Sequence, residues 1–137
     1  MSQVFVLDAC ALVALLKNEK GADVVAAAYQ KASGGEAEMI INRVNLLEVY
    51  YGFYRESGKE YADNIMSGIE KSIVEIREFD KDKFLIAGRL KASYKISLAD
   101  SIALAQAIES GGELLTSDHH EFEALQGKED IRIGWIR

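Results

Sequence analysis

The chain has 137 residues, of which 49% are apolar and 28% charged, and its 22 acidic against 16 basic side chains leave a net charge of −6. That length allows one domain, residues 1–137, able to bury roughly two thirds of its unfolded surface, and the composition excludes a disordered chain. The acidic balance argues against broad electrostatic capture of nucleic acid, so a polyanionic substrate would need a local basic patch or a bound cation.

The opening MSQVFVLDAC has no basic leader region and meets Asp8 before any signal-length apolar run. No later run approaches the roughly 18 apolar residues of a membrane span, and the expectation is a cytoplasmic protein with no membrane partner. VFVL (4–7) is a short apolar run containing β-branched residues and reads as a strand. Cys10 is the sole cysteine, so no internal disulfide forms, and beside an apolar run its thiol reads as packing. Leu12, Val13, Leu15 and Leu16 then share one broad helical face. Gly21 opens a second helix, ADVVAAAYQKA, which Gly34 and Gly35 stop before the strand EMIIN (38–42). In RVNLLEVYYGFYRES, Val44, Leu47, Tyr51 and Tyr54 recur at helical spacing, and KEYADNIMSGIEKS continues that pattern through Tyr61, Ile65 and Ile69. IVEI (73–76) reads as a third strand before the helical KDKFLIAGRLKASY. SLADSIALAQAI is apolar nearly all round, as in a helix buried on most sides, and ELLT (113–116) and IRIGWI (131–136) complete the strands. Five strands separated by helices, with connections too long for hairpins, predict an α/β domain with a mainly parallel five-stranded sheet covered on both faces.

In such sheets the site lies outside the carboxyl ends of the strands. Asp8 follows VFVL directly and Asp118 follows ELLT after one serine, while Glu48 and Asp100 fall in the first turns of helices that start at the same edge. Asp8 and Asp118 also suit helix N-caps, and Asp100 suits a first-turn acid. Glu48 fits neither role: it sits between Leu47 and Val49 with Tyr50 and Tyr51 beside it, where a charge needs an exposed face or a partner. Two carboxylates about 5.5 Å apart repel by roughly 3 kcal/mol at an effective dielectric of about 20, so three or four could share a cleft only with a compensating cation. Oxygen-only ligands suit Mg²⁺ or Mn²⁺. His119 and His120 read as exposed residues at the start of a short helix, because a zinc site would want further nitrogen or sulfur ligands; a proton-donating role is the other reading. Arg43 and Lys95, near the same rim, are candidates for RNA phosphate contacts or simply solvated helix ends. The aromatic cluster Tyr50, Tyr51, Phe53 and Tyr54 suits core packing or a protein interface better than base stacking.

The series VLDACALVALL, NLLEVYYGF, SLADSIALAQA and LLTSDHHEF resembles the PIN domain, and at this length it resembles most the VapC-like ribonuclease toxins of toxin–antitoxin pairs. The resemblance runs from residue 4 to residue 122. It implies a three-layer α/β sandwich and metal-dependent hydrolysis of RNA. It also implies a homodimer and an inhibitory antitoxin partner whose tail reaches the acidic groove. By position, Asp8, Glu48, Asp100 and Asp118 match the family's catalytic and metal-binding acids, with Asp8, Asp100 and Asp118 holding Mg²⁺ or Mn²⁺ and Glu48 binding it or orienting the attacking water. Thr116 matches a hydroxyl that holds an acid in place, and Glu121 a further acidic position. Asn42 and Asn45 stand where relatives frequently carry serine or threonine. A non-catalytic PIN-like protein that binds RNA or a partner through the same rim is the alternative. A two-aspartate phosphatase is disfavoured, because Asp8-Ala9-Cys10 lacks the second aspartate two residues on.

Overall fold

A computed structural model of the protein describes residues 3–137; the first two residues of the expected domain lie outside the described residues. Five strands, β1 (Gln3–Leu7), β2 (Ala37–Asn42), β3 (Val74–Arg77), β4 (Glu113–Thr116) and β5 (Arg132–Trp135), form one sheet in the order β3-β2-β1-β4-β5. Every pairing is parallel, so the expected mainly parallel sheet is parallel throughout its described strands. Seven helices connect them: α1 (Ala9–Lys17), α2 (Ala22–Ser33), α3 (Arg43–Ser57), α4 (Lys59–Glu70), α5 (Lys81–Ser93), α6 (Leu98–Ser110) and α7 (His119–Phe122), the last followed by a 3₁₀ turn at Glu123–Leu125.

The pleat divides the strand residues between two cores. Phe5, Leu7, Met39, Ile41 and Leu115 join residues of α1 to α4 on one face, and Val6, Ile40 and Leu114 join residues of α5, α6 and the α7 region on the other. This is the three-layer sandwich. Ser101 to Ala107 of α6 are buried without interruption, which accounts for the helix being apolar nearly all round. Its Gln106 is also buried, and accepts a hydrogen bond from the Asn42 amide at 3.1 Å, tying the middle layer to α6 by a satisfied polar contact.

The stripe of Val44, Leu47, Tyr51 and Tyr54 has a different fate from a core face. Leu46, Val49 and Phe53 fill the core, whereas Leu47, Tyr51 and Tyr54 are exposed. Tyr50 is half-buried and donates to Asp63 at 2.7 Å.

The chain builds outward from β1 to β2 to β3 through helices on one face, then returns through α5 and α6 on the other to place β4 beside β1. Between β1 and β4 the direction of winding therefore reverses, and the crevice beyond their carboxyl ends is where such sheets bind ligands. Gly21, which opens α2 at φ 98, holds the far end of the chain to this region: a Cβ there would lie 2.7 Å from the Ile136 carbonyl oxygen. A side chain at that position would be both strained and in collision.

Candidate active site

At the β1/β4 crevice lies a cleft of about 500 Å³ lined by Asp8, Cys10, Glu48, Ser97, Asp100, Ser117, Asp118 and Glu121, with Ala9. Each acid reaches it for a local reason. Leu7 pairs with Leu115, so Asp8, one residue on, stands beside Thr116. Asp8 caps α1, accepting from the Ala11 N–H at 2.8 Å, and its second oxygen accepts from the Thr116 hydroxyl at 2.5 Å. That same hydroxyl oxygen accepts from the Asp118 N–H at 3.0 Å. One threonine thus ties the ends of β1 and β4 together and fixes two acids at once.

Asp8 is 3% exposed. Burial disfavours its charged form and raises its pKa from 3.8 to about 6, against the lowering effect of the Thr116 and Ala11 hydrogen bonds. Thr116→Val keeps the shape but leaves a buried carboxylate oxygen and the Asp118 N–H short of a partner. It is expected to destabilise the fold by about 2–4 kcal/mol in urea denaturation and to push the Asp8 pKa further up. A valine variant as stable as the parent would show that the hydroxyl contributes nothing.

Asp100 sits in the first turn of α6, where the Ser97 side chain accepts from the Asp100 N–H at 3.1 Å. Asp118 caps α7 by accepting from the Glu121 N–H at 3.2 Å, and this tight turn brings Glu121 back over the cleft. One carboxylate oxygen each from Asp100, Asp118 and Glu121 lies within 4.8 Å of the others. At that separation and an effective dielectric of about 20, each ionised pair repels by about 3–4 kcal/mol. The Asp100 pKa accordingly rises from 3.8 to about 7, by burial first and then by the hydrogen bond and charge of Asp118. Without a cation, Asp100 keeps its proton up to near neutral pH.

Glu48 enters from α3, whose start is capped by Asn42 accepting from the Val44 N–H at 3.0 Å. Asn45 is buried and donates to the Ala99 carbonyl at 3.0 Å and, over a longer 3.5 Å, to Glu48 Oε1. It therefore locks α3 to α6 just before Asp100. Burial raises the Glu48 pKa, and Asn45 offsets part of that rise. Asn45 Oδ1 is itself buried without a hydrogen-bond partner among the described residues, an unused acceptor beside Glu48.

All four expected acids line the cleft, and so does Glu121. The tightest oxygen cluster is Asp100, Asp118 and Glu121, while Asp8 stands behind it with both carboxylate oxygens already hydrogen-bonded. Asn45, noted from the sequence only as standing where relatives carry serine or threonine, contributes through its bonds to Ala99 and Glu48. Cys10, expected as packing, is half-buried at the cleft with its sulfur 2.8 Å from Ser117 Oγ. Arg43 does not line the cleft; its guanidinium is held by Glu78 at 2.7 Å. Lys95 is exposed in the connection before Ser97, also outside the cleft lining. His119 and His120 begin α7 and are exposed, as expected. His119 also stacks on Trp135 and hydrogen-bonds Glu123 and the Arg137 backbone oxygen.

The family model described as the PIN domain matches residues 5–128. The chain belongs to the PIN domain family. Among solved structures, DNA-bound VapBC from Salmonella typhimurium aligns over 100% of this chain and 100% of its own with a TM-score of 0.77 and 21% identity. VapBC2 from Rickettsia felis, bound to a promoter DNA fragment, aligns over 97% of this chain and 98% of its own with a TM-score of 0.78 and 18% identity. VapC20 of Mycobacterium tuberculosis, described as a sarcin–ricin loop cleaving toxin, covers 93% of this PIN domain and 98% of its own chain at 12% identity and a TM-score of 0.64. At these identities the likeness is one of fold, and the fold is that of VapC-type PIN domains. No curated protein sequence matches the chain. No described helix is long and apolar enough to cross a membrane.

Proposed function

We propose that this PIN domain is a divalent-metal-dependent endoribonuclease and the toxin of a toxin–antitoxin pair. The carrying observation is the triplet Asp100, Asp118 and Glu121, whose oxygens lie within 4.8 Å of one another in a cleft also lined by Asp8 and Glu48. Such an arrangement is costly when ionised and empty of counter-charge, and its donors are all oxygen, the set that Mg²⁺ or Mn²⁺ takes. Asp100, Asp118 and Glu121 would hold the ion, with Asp8 behind them adding charge. When bound, a cation of this kind lowers the pKa of water and stabilises charge at a phosphate.

The remaining chemistry belongs to the chain. Glu48, raised in pKa by burial and directed by Asn45, is suited to accept the proton of the attacking water. Thr116 keeps Asp8 and Asp118 in register through the reaction. The likeness in fold to VapC20, a sarcin–ricin loop cleaving toxin, supports RNA as the substrate class. The VapBC complexes among the structural neighbours support an antitoxin protein as partner. The exposed Leu47, Tyr51 and Tyr54 on α3 are the kind of apolar surface that an antitoxin or the second copy of a homodimer would cover.

The test is cleavage of a mixed pool of structured RNAs in Mg²⁺ or Mn²⁺, with and without chelator. Cuts that appear only with metal are expected. Cleavage that persists in chelator would overturn the metal reading, and no cleavage of any RNA with either ion would overturn the ribonuclease.

A further inference from the structure

Beside the acids, the cleft has a border of different chemistry. His119 follows Asp118 directly, and its ring lies flat on the Trp135 indole with centroids 3.9 Å apart and planes at 11°. Nδ1 lies 2.6 Å from the Glu123 carboxylate and Nε2 2.8 Å from the Arg137 backbone oxygen, both within hydrogen-bond reach. One ring face and both nitrogen edges are therefore occupied, yet the side chain keeps 45% of its surface exposed. That surface is the opposite ring face and the carbon edge.

The support beneath it is fixed by the fold. Trp135 pairs with Thr116 in the sheet, so the indole stands beside the strand end that carries the acidic site. Arg137 continues from it, donating to the Lys20 carbonyl at 2.6 Å and reaching to 3.9 Å from the sulfur of Cys10, a residue of the cleft wall. The cleft lining itself contains acids, serines, an alanine and a cysteine, but no base.

We propose that the His119–Trp135 stack and the Arg137 guanidinium form a nucleotide shelf at the mouth of the acidic cleft. An unpaired base stacks on the free face of His119, and Arg137 takes a neighbouring phosphate. The inference rests on the ribonuclease reading and narrows it: the nucleotide next to the cut is unpaired, because a base within a duplex presents no free face. Stacking accepts any base, so the shelf positions the strand without dictating its sequence. Because two hydrogen bonds and the indole already hold the imidazole in one rotamer, binding there orders little that was not ordered before. The guanidinium supplies the positive charge that the lining lacks.

The test uses the full chain carrying Asp100→Asn, which is expected to slow cleavage enough for a binding titration, with a short mixed-sequence single-stranded RNA in Mg²⁺. Affinity is read by anisotropy of the labelled RNA, and Trp135, the single tryptophan, reports contact through its own fluorescence. RNA is expected to quench Trp135. Adding His119→Ala is expected to weaken binding roughly 5- to 10-fold, and His119→Phe, which keeps a ring but loses both hydrogen bonds, to restore it. Arg137→Gln is expected to reduce the slope of log affinity against log salt by about 0.7, the loss of one phosphate contact on a single strand. Unchanged affinity in His119→Ala, or a phenylalanine variant as weak as the alanine one, overturns the shelf; the second result would assign His119 to tethering Glu123 and Arg137. Wild-type protein that cleaves RNA while His119→Ala binds as before overturns the shelf alone, whereas wild-type protein that neither cleaves nor binds RNA overturns the ribonuclease and the shelf together.

Discussion

Asp100→Asn is expected to lower RNA cleavage by roughly 10²–10³-fold, the loss that follows removal of one preorganised charge-stabilising group, while the protein stays folded. The substitution keeps the size and hydrogen-bonding shape of the side chain, and the Ser97 cap acts on the backbone N–H of residue 100, which asparagine retains. It removes the negative charge that Asp118 opposes most directly. The metal-free variant should therefore be at least as stable as the parent, and the loss of turnover cannot be laid to unfolding. Single-turnover cleavage with a matched thermal melt checks both halves. Asp8→Asn should also lose activity, but with a stability cost, because an amide placed between the Thr116 hydroxyl and the Ala11 N–H meets two donors and can accept only through its oxygen. Unchanged turnover in Asp100→Asn would remove that residue from the metal site and, with it, the core of the ribonuclease reading.

The difference between these two acids explains what was legible in the sequence. Asp8 and Asp118 could be placed because strand patterning and the parallel-sheet rule locate strand ends without any knowledge of side-chain contacts. Glu48 could be placed because an ion in an apolar stretch demands a reason. The relative depth of the acids was not legible. Thr116 draws Asp8 back through a hydrogen bond spanning 108 residues, and the α7 turn swings Glu121 forward to join Asp100 and Asp118. Neither contact leaves a periodic mark. The same limit applies to α3, where two apolar stripes, Leu47–Tyr51–Tyr54 and Leu46–Val49–Phe53, both satisfy helical spacing. Only packing against α1, α4 and the sheet decides that the second enters the core. Arg43 was correctly read as a helix start at the strand edge, but its pairing with Glu78 depends on where β3 ends, which its own neighbourhood does not encode. His119 and Asn45 are likewise defined by distant partners, Trp135 and Ala99.

Metal-free protein is expected to lose stability as pH rises from about 5.5 to 7.5, and Mg²⁺ or Mn²⁺ to reverse the trend. Asp8 and Asp100 bind protons more tightly in the folded state, at about 6 and about 7, than the unfolded value of 3.8. Their contribution is complete below the unfolded value and disappears as pH climbs through the folded ones. With the share of the partly exposed Asp100 halved for solvent screening, the pair makes the fold about 2 kcal/mol more stable at the lower pH, a shift of roughly 6–8 °C in Tm. The exposed carboxylates held down by cations, such as Asp63, Glu78 and Asp80, act in the opposite sense, but at pH values below those of this window. His119, raised by the Arg137 backbone oxygen and then by Glu123, adds to the decline. A cation must displace the protons on these acids, so its affinity should increase with pH. At a free concentration about a hundred times its dissociation constant it should add about 2.7 kcal/mol, or roughly 8–10 °C, near pH 7.5, and much less near pH 5.5. Thermal melts across this range, with and without each ion, make the comparison, and Asp100→Asn should flatten both dependences. A metal-free Tm that climbs steadily to pH 7.5 and ignores both ions would show that Asp8 and Asp100 are not held protonated in the fold and that the acidic triplet binds no metal. The cleft would then have to meet its crowded charge in another way, which no cation in its lining can supply.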